Sequence, residues 1–346
     1  MKKLFIIAAA ACVTLASCVK NEPVATPDLG ELITFEAPIV APATKAGPVG
    51  DVLYPADGEF FLYGWYHAAV DGAFANKYIP GAEIAKVEGK NYFAPATSYY
   101  WPKSGYLSFF AYSPSALPAG GDGSLSASEM ALNKSMTLTY TVPSTQAKQV
   151  DLLYSDWAMN QTVANEITTT QGSYNGVEIV FNHALSAVIF SFSGVENMYQ
   201  INSVTLTGVK KTAVLTSTPA SAIWATPTGD VVTYTILPEG TYAVSGAATA
   251  SEMLMLIPQS LADAKLTINY SLKNPSANEW IAQEAKVINL NTATIIVDEE
   301  TEAIAKWDMG TKYTYNVTFG AASVIKFAPS IKTEWTGVTG TIPEIN

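Results

Sequence analysis

Arginine is missing from this chain. All 19 basic residues are lysine, and with 30 acidic residues the formal net charge is −11. Phosphate backbones are held by basic patches and by the planar arginine fork, so an acidic chain without that fork is not built for nucleic acid. Cysteine is almost as scarce: Cys12 and Cys18 are too few to staple a small scaffold. His67 and His183 lack a second histidine or a nearby carboxylate at metal-ligand spacing, so both read as structural. Also missing are HExxH, the serine elbow, the EF-hand and the Walker loop; Gly120-Gly121-Asp122-Gly123 lacks the Lys-Ser/Thr that would follow. Nothing singles out a carboxylate pair for hydrolysis, and the chain reads as a non-enzyme with no cofactor and no metal. Charged residues make up only 14%, but hydrophobic ones reach 49% and aromatics 11%, which is enough to bury a core. At roughly 150 residues per domain, the length suggests two domains.

Apolar runs long enough to span a bilayer are absent too. Leu4 to Leu15 is apolar but short, follows Lys2 and Lys3, and leads into Leu15-Ala16-Ser17-Cys18. A basic start, a short apolar stretch and small residues before a cysteine resemble a bacterial lipoprotein signal, removed as residues 1–17 with Cys18 then acylated. Cys12 leaves with the signal, so the mature chain has no free thiol and no thiolate chemistry. Residues 18–30 read as a polar, proline-containing tether. Val19 in place of Asp implies the outer membrane, and Lys20 with Glu22 resembles the start of a surface-export signal.

What the rest of the chain has in abundance is alternation. Met136, Leu138, Tyr140 and Val142 interleave with threonines, as do Tyr313, Tyr315, Val317 and Phe319 with Thr314, Asn316 and Thr318; Leu266, Ile268, Tyr270 and Leu272 repeat the pattern. Each is a strand with one buried and one wet face. Turn signals such as Asp71-Gly72 and Pro238-Glu239-Gly240 punctuate them, so the fold class is all-β, with antiparallel sandwiches. Helix signal is thin: Ser126-x-x-Glu129 is a capping box that would open a short helix before Asn133, and Ala119 to Ser128 reads as a surface loop. The body divides near residue 195, giving an N-terminal domain over 31–195 and a C-terminal domain over 196–346. Tyr99-Tyr100-Trp101 is either core or a carbohydrate platform, with core the commoner use of such aromatics.

Several segments together resemble the fimbrillin-like proteins of Bacteroidetes, the subunits of type V pili. They are Tyr99-Tyr100-Trp101-Pro102 leading to Phe109-Phe110-Ala111-Tyr112-Ser113-Pro114; Val180-Phe181-Asn182-His183-Ala184-Leu185-Ser186; Leu254-Met255-Leu256-Ile257-Pro258-Gln259; and Trp307-Asp308-Met309-Gly310-Thr311-Lys312-Tyr313-Thr314-Tyr315. Ile325-Lys326-Phe327-Ala328-Pro329-Ser330-Ile331 and Trp335 close the set. The resemblance implies two tandem transthyretin-like β-sandwich domains and a fimbrial subunit exported as a lipoprotein. A trypsin-like protease would cut after the first strand, and a strand from another subunit would fill the groove left behind.

The residues fit that route. Ile33, Phe35, Ala37 and Ile39 alternate with Thr34, Glu36 and Pro38, so they would line one sandwich face within a removable stretch, 31–45. Lys45 is the one basic residue of the stretch from Ala41 to Pro48, which places the cut between Lys45 and Ala46. A protease restricted to arginine could not make it; one that accepts lysine is required. At the other end, Val338, Gly340, Ile342 and Ile345 lie in a largely uncharged tail and are the candidate donor strand. The expected role is a stalk subunit serving adhesion and biofilm formation, with other fimbrillin subunits, the outer membrane and a surface receptor as partners. A lipid-retaining anchor, a tip subunit, or a glycan-binding surface lipoprotein using Tyr99 to Trp101 are the alternatives.

Overall fold

A computed structural model describes residues 31–40, 52–54, 58–90, 92–130, 134–163, 176–297, 300–320 and 325–332. Among these the regular structure is all strand apart from short 3-10 turns. The alternating segments behave as their sequences require. In the strand Ser135–Thr141, Met136, Leu138 and Tyr140 are fully buried and the threonines between them half-exposed. In Lys312–Phe319, Tyr313, Tyr315, Val317 and Phe319 all face inward. The strand Lys265–Asn274 keeps the pattern: Leu266 and Ile268 are buried, and Tyr270 and Leu272, half-buried, pack against the same core, with the Tyr270 ring beside Tyr199 and Phe319. Its neighbour Tyr199–Thr218 carries a bulge between Ile201 and Ser203. The extra residue shifts that neighbour's own parity, so that Tyr199 and Ile201 on one side of the bulge and Val204 and Leu206 on the other all face the core.

The helix expected from Ser126 and Glu129 does not form. Ser124–Met130 is a strand, paired antiparallel with Ser135–Thr141 so that Ser126 faces Thr139 and Glu129 faces Met136. This strand also takes the second half of the surface loop expected over Ala119 to Ser128. The Glu129 carboxylate, instead of capping a helix, accepts the Trp65 indole N–H at 3.1 Å and pairs with Lys77.

The strands form four sheets among the described residues. One, of ten strands, runs in the order Phe35–Glu36, Tyr92–Pro95, Asn76–Lys86, Phe60–His67, Tyr106–Ser113, Leu153–Ser155, Val180–His183, Ile39–Val40, Val52–Leu53, with Ala158–Gln161 also on Tyr106–Ser113. A nine-stranded sheet built on the long strand Tyr199–Thr218 and a five-stranded sheet built on Ser186–Gly194 and Lys312–Phe319 sandwich a second core. Most pairs are antiparallel; Ser186–Gly194 and Lys312–Phe319 run parallel over eight paired residues. Sheet membership changes between His183 and Ser186, earlier than the division expected at 195. The hairpin 124–141 also crosses that division to pair with Tyr199–Thr218. The strand Tyr106–Ser113 shows why its sequence is apolar without alternation. Leu107, Phe109 and Ala111 enter one core, while Phe110 and Tyr112 enter the other, so both faces are dry.

Candidate functional site

The first described segment occupies an unusual place. Its two short strands, Phe35–Glu36 and Ile39–Val40, stand near opposite ends of the ten-stranded order, so one stretch of chain closes the sheet on itself. On one side the Ile33 N–H donates to the Tyr99 carbonyl at 2.8 Å, the Trp101 N–H to Glu31 at 2.8 Å, and Phe35 stands in register with Phe93. On the other side the Glu36 N–H donates to Val177 at 3.1 Å, the Val177 N–H to Thr34 at 2.9 Å, and the Ile39 N–H to Ile179 at 3.1 Å. Ile39 and Val40 run parallel to Val180 and Phe181 and antiparallel to Leu53 and Val52. Lifting residues 31–40 out would leave unpaired N–H and C=O groups on both lips of the gap, which is a template for another strand.

Its side chains fill the core beneath. Ile33 and Phe35 have no exposed surface. The Phe35 ring stands edge-on to Phe109 at 5.5 Å and to Phe60 at 6.4 Å. Tyr54, Phe60, Phe93, Trp101, Val177, Ile179 and Phe181 belong to the same cluster. Burial of each large apolar side chain stabilises by about 1.5–3 kcal/mol. The expected single face holds for Ile33 and Phe35, and Ala37 packs at the edge of the core, but the pattern then shifts. Pro38 and Val40 are buried, and Ile39 is half-exposed. The segment changes partners here, from strand 92–95 to strand 180–183, and the face changes with it. On the outer face, burial pushes the Glu36 carboxyl up, and the neighbouring carboxylate of Glu178 adds to it.

Other residues singled out by sequence fall as follows. Cys18, Lys45 and Ala46 lie outside the described residues, as do Val338, Gly340, Ile342 and Ile345. Upstream of that tail, Ile325–Lys332 pairs with Lys312–Phe319 over eight positions in its own sheet. His67 is fully buried, with Nδ1 at 2.7 Å from the Ala69 carbonyl and Nε2 at 2.9 Å from Ser108 Oγ. His183 Nδ1 lies 2.6 Å from Asp151 Oδ2, a partner too distant in sequence to be read as one. Trp101 is 6% exposed and packs edge-on to Phe109, and Tyr99 and Tyr100 are half-buried, so the trio is not an open carbohydrate platform. The lip formed by Val177 and Ile179 was not singled out. Its signal is the alternation Val177-Glu178-Ile179-Val180-Phe181.

The model of a family described as fimbrillin-like matches residues 58–335. The chain belongs to the fimbrillin-like family. A protein of Bacteroides uniformis described as a cell adhesion protein is 16% identical, with a TM-score of 0.52 over 88% of this chain and 99% of its own. A counterpart from Bacteroides ovatus is 13% identical, with a TM-score of 0.50 over 90% and 99%. The tip fimbrial protein Mfa3 of Porphyromonas gingivalis, with C-terminal truncation, is 8% identical, with a TM-score of 0.42 over 88% and 100%. No curated protein matches. A fimbrillin-like chain is a structural, non-enzymatic protein of cell-surface fimbriae.

Proposed function

We propose that this fimbrillin-like chain is a stalk subunit of a type V pilus that polymerises by strand exchange and serves adhesion and biofilm formation. It is exported as a lipoprotein acylated at Cys18 and carried to the outer membrane. A trypsin-like protease that accepts lysine cuts between Lys45 and Ala46. Residues 31–45, with Ile33, Phe35, Ala37 and Ile39, leave with the lipid. The groove is filled by a strand from another subunit, with Val338, Gly340, Ile342 and Ile345 as donor.

The observation that carries this reading is the double-sided pairing of residues 31–40. One short segment closes a sheet and roofs a core, so its departure opens both an apolar trough and two lips of backbone partners. A strand added there gains main-chain hydrogen bonds for affinity and side-chain pockets for register. Pairing of Ile325–Lys332 within its own sheet is consistent with a donor that lies farther along the tail. Because this chain has no arginine, cutting after Lys45 leaves 15 lysines and 26 acidic residues, and the charge stays at −11.

The test is the N-terminal sequence of the subunit recovered from cell-surface filaments. A start at Ala46 is expected. An acylated Cys18 retained in assembled filaments would overturn the stalk role and make the chain an anchor.

A further inference from the structure

We infer that Glu36 and Glu178 form a repulsive seam which loosens the closing segment at neutral pH and lets it seat tightly in mild acid. The inference rests on the strand-exchange reading above and adds a control on when the segment leaves.

The geometry sets the two residues side by side. Phe35 and Val177 are bridged in parallel, and both point into the core, at 0% and 1% exposure. One residue farther along each strand, Glu36 and Glu178 therefore share the outer face as direct cross-strand neighbours, the arrangement in which like charges destabilise a sheet. Among the described residues, the groups beside Glu36 offer no relief. Glu178 stands on one side; on the other, in register, is the phenol Tyr92. One strand beyond Glu178 is a further acid, Asp156, whose N–H donates to Val180 and which lines the same shallow cleft as Glu178. Among the described residues neither Glu36 nor Glu178 takes part in an ion pair.

The sign follows from linkage. Burial first, and Glu178 second, hold the Glu36 carboxyl above its ordinary value when the segment is seated. The seated state then binds the proton more tightly than the released state. Seating is strongest below the ordinary carboxylate value, weakens as pH climbs from there through the raised value, and is level above it. In a precursor, seating and release have opposite uses: the segment must stay in place until it is cut and must then depart. A repulsion confined to the seam weakens its grip without touching Ile33 or Phe35, which fill the core.

The test cuts the full chain at an engineered recognition site placed at Lys45–Ala46, so that nicking does not depend on the native protease. Release of the N-terminal fragment is then timed by size exclusion and mass spectrometry at about pH 5 and about pH 7.5. Release is expected to be at least about threefold faster at the higher pH, with Glu178→Gln and Glu36→Gln each shrinking the ratio toward one by slowing release at neutral pH. Equal release at both pH values in the parent chain, or a ratio unchanged in both variants, would overturn the seam. If the fragment stays bound at every pH, strand departure itself fails. The seam is then judged by exchange of the Glu36 and Ile39 amides, corrected for intrinsic rate: faster exchange at neutral pH in the parent but not in Glu178→Gln supports it, and equal exchange overturns it.

Discussion

Phe35→Ala is the most direct probe of the closing segment. Phe35 has no exposed surface and contacts Phe60 and Phe109 edge-on, at 6.4 and 5.5 Å. Truncating a buried phenylalanine to alanine costs about 3–5 kcal/mol. Total stabilities are about 5–15 kcal/mol, so much of the stability of the ten-stranded sheet is at stake. Ile39→Ala is the paired control, because Ile39 lies on the same segment but is half-exposed; its truncation should cost about 1 kcal/mol or less. Hydrogen exchange reads the difference locally. The Ile33 and Trp101 amides on one lip and the Val177 amide on the other are hydrogen-bonded across the seam. In Phe35→Ala they should lose protection by roughly two to three and a half decades. Amides in the strand Lys312–Phe319, which belongs to the other core, should hold theirs. If Phe35→Ala costs no more than Ile39→Ala, or if protection falls equally in both cores, the segment is not the separable roof of one core.

Three further outcomes are expected. Trp101→Ala should lower the urea midpoint by the equivalent of about 3–5 kcal/mol; a variant as stable as the parent would restore the platform reading of that residue. Gly208→Ala should destabilise strongly, since a Cβ there would sit 1.7 Å from the Asp263 carbonyl oxygen at a φ of +80°, and a thermal scan unchanged from the parent would refute the close approach. Asp122 is held below the usual carboxylate range, first by a hydrogen bond from Lys211 and then by the Ser144 N–H. Its stabilisation is thus present above the ordinary carboxylate value and lost as pH falls. Half-exposed as it is, it contributes well under about 1 kcal/mol, so Asp122→Asn should flatten the acid limb of a stability–pH curve only slightly, and a large loss at neutral pH would contradict this.

Period-two patterning made strands such as 135–141 and 312–319 legible, because each has one dry face along its whole length. It misled where a face changes partway. Ile39 looked inward by parity, but the chain trades one neighbour for another between Glu36 and Ile39. Ser126 and Glu129 satisfy a capping box and an alternating strand equally well, and only the hairpin partner at Thr139 and Met136 decides between them. The candidate site was half legible. Ile33 and Phe35 announce an apolar stripe, yet the two lips that hold it come from residues 92–101 and 177–181, and local pattern carries no information about which distant strands will meet.

The closing of the sheet by one segment has a consequence for how that segment is held. Residues 31–40 touch the rest of the sheet as a ligand touches a site, and they are covalently joined to it through the chain that follows. While the chain is intact, docking is intramolecular, and its strength is multiplied by a high effective concentration set by the length of chain that connects the segment to the sheet. Cutting it changes the kind of equilibrium. With every hydrogen bond to Val177 and Tyr99 still in place, the segment becomes a bimolecular ligand whose occupancy falls on dilution. A single hydrolysed peptide bond can therefore empty the slot without weakening any contact inside it.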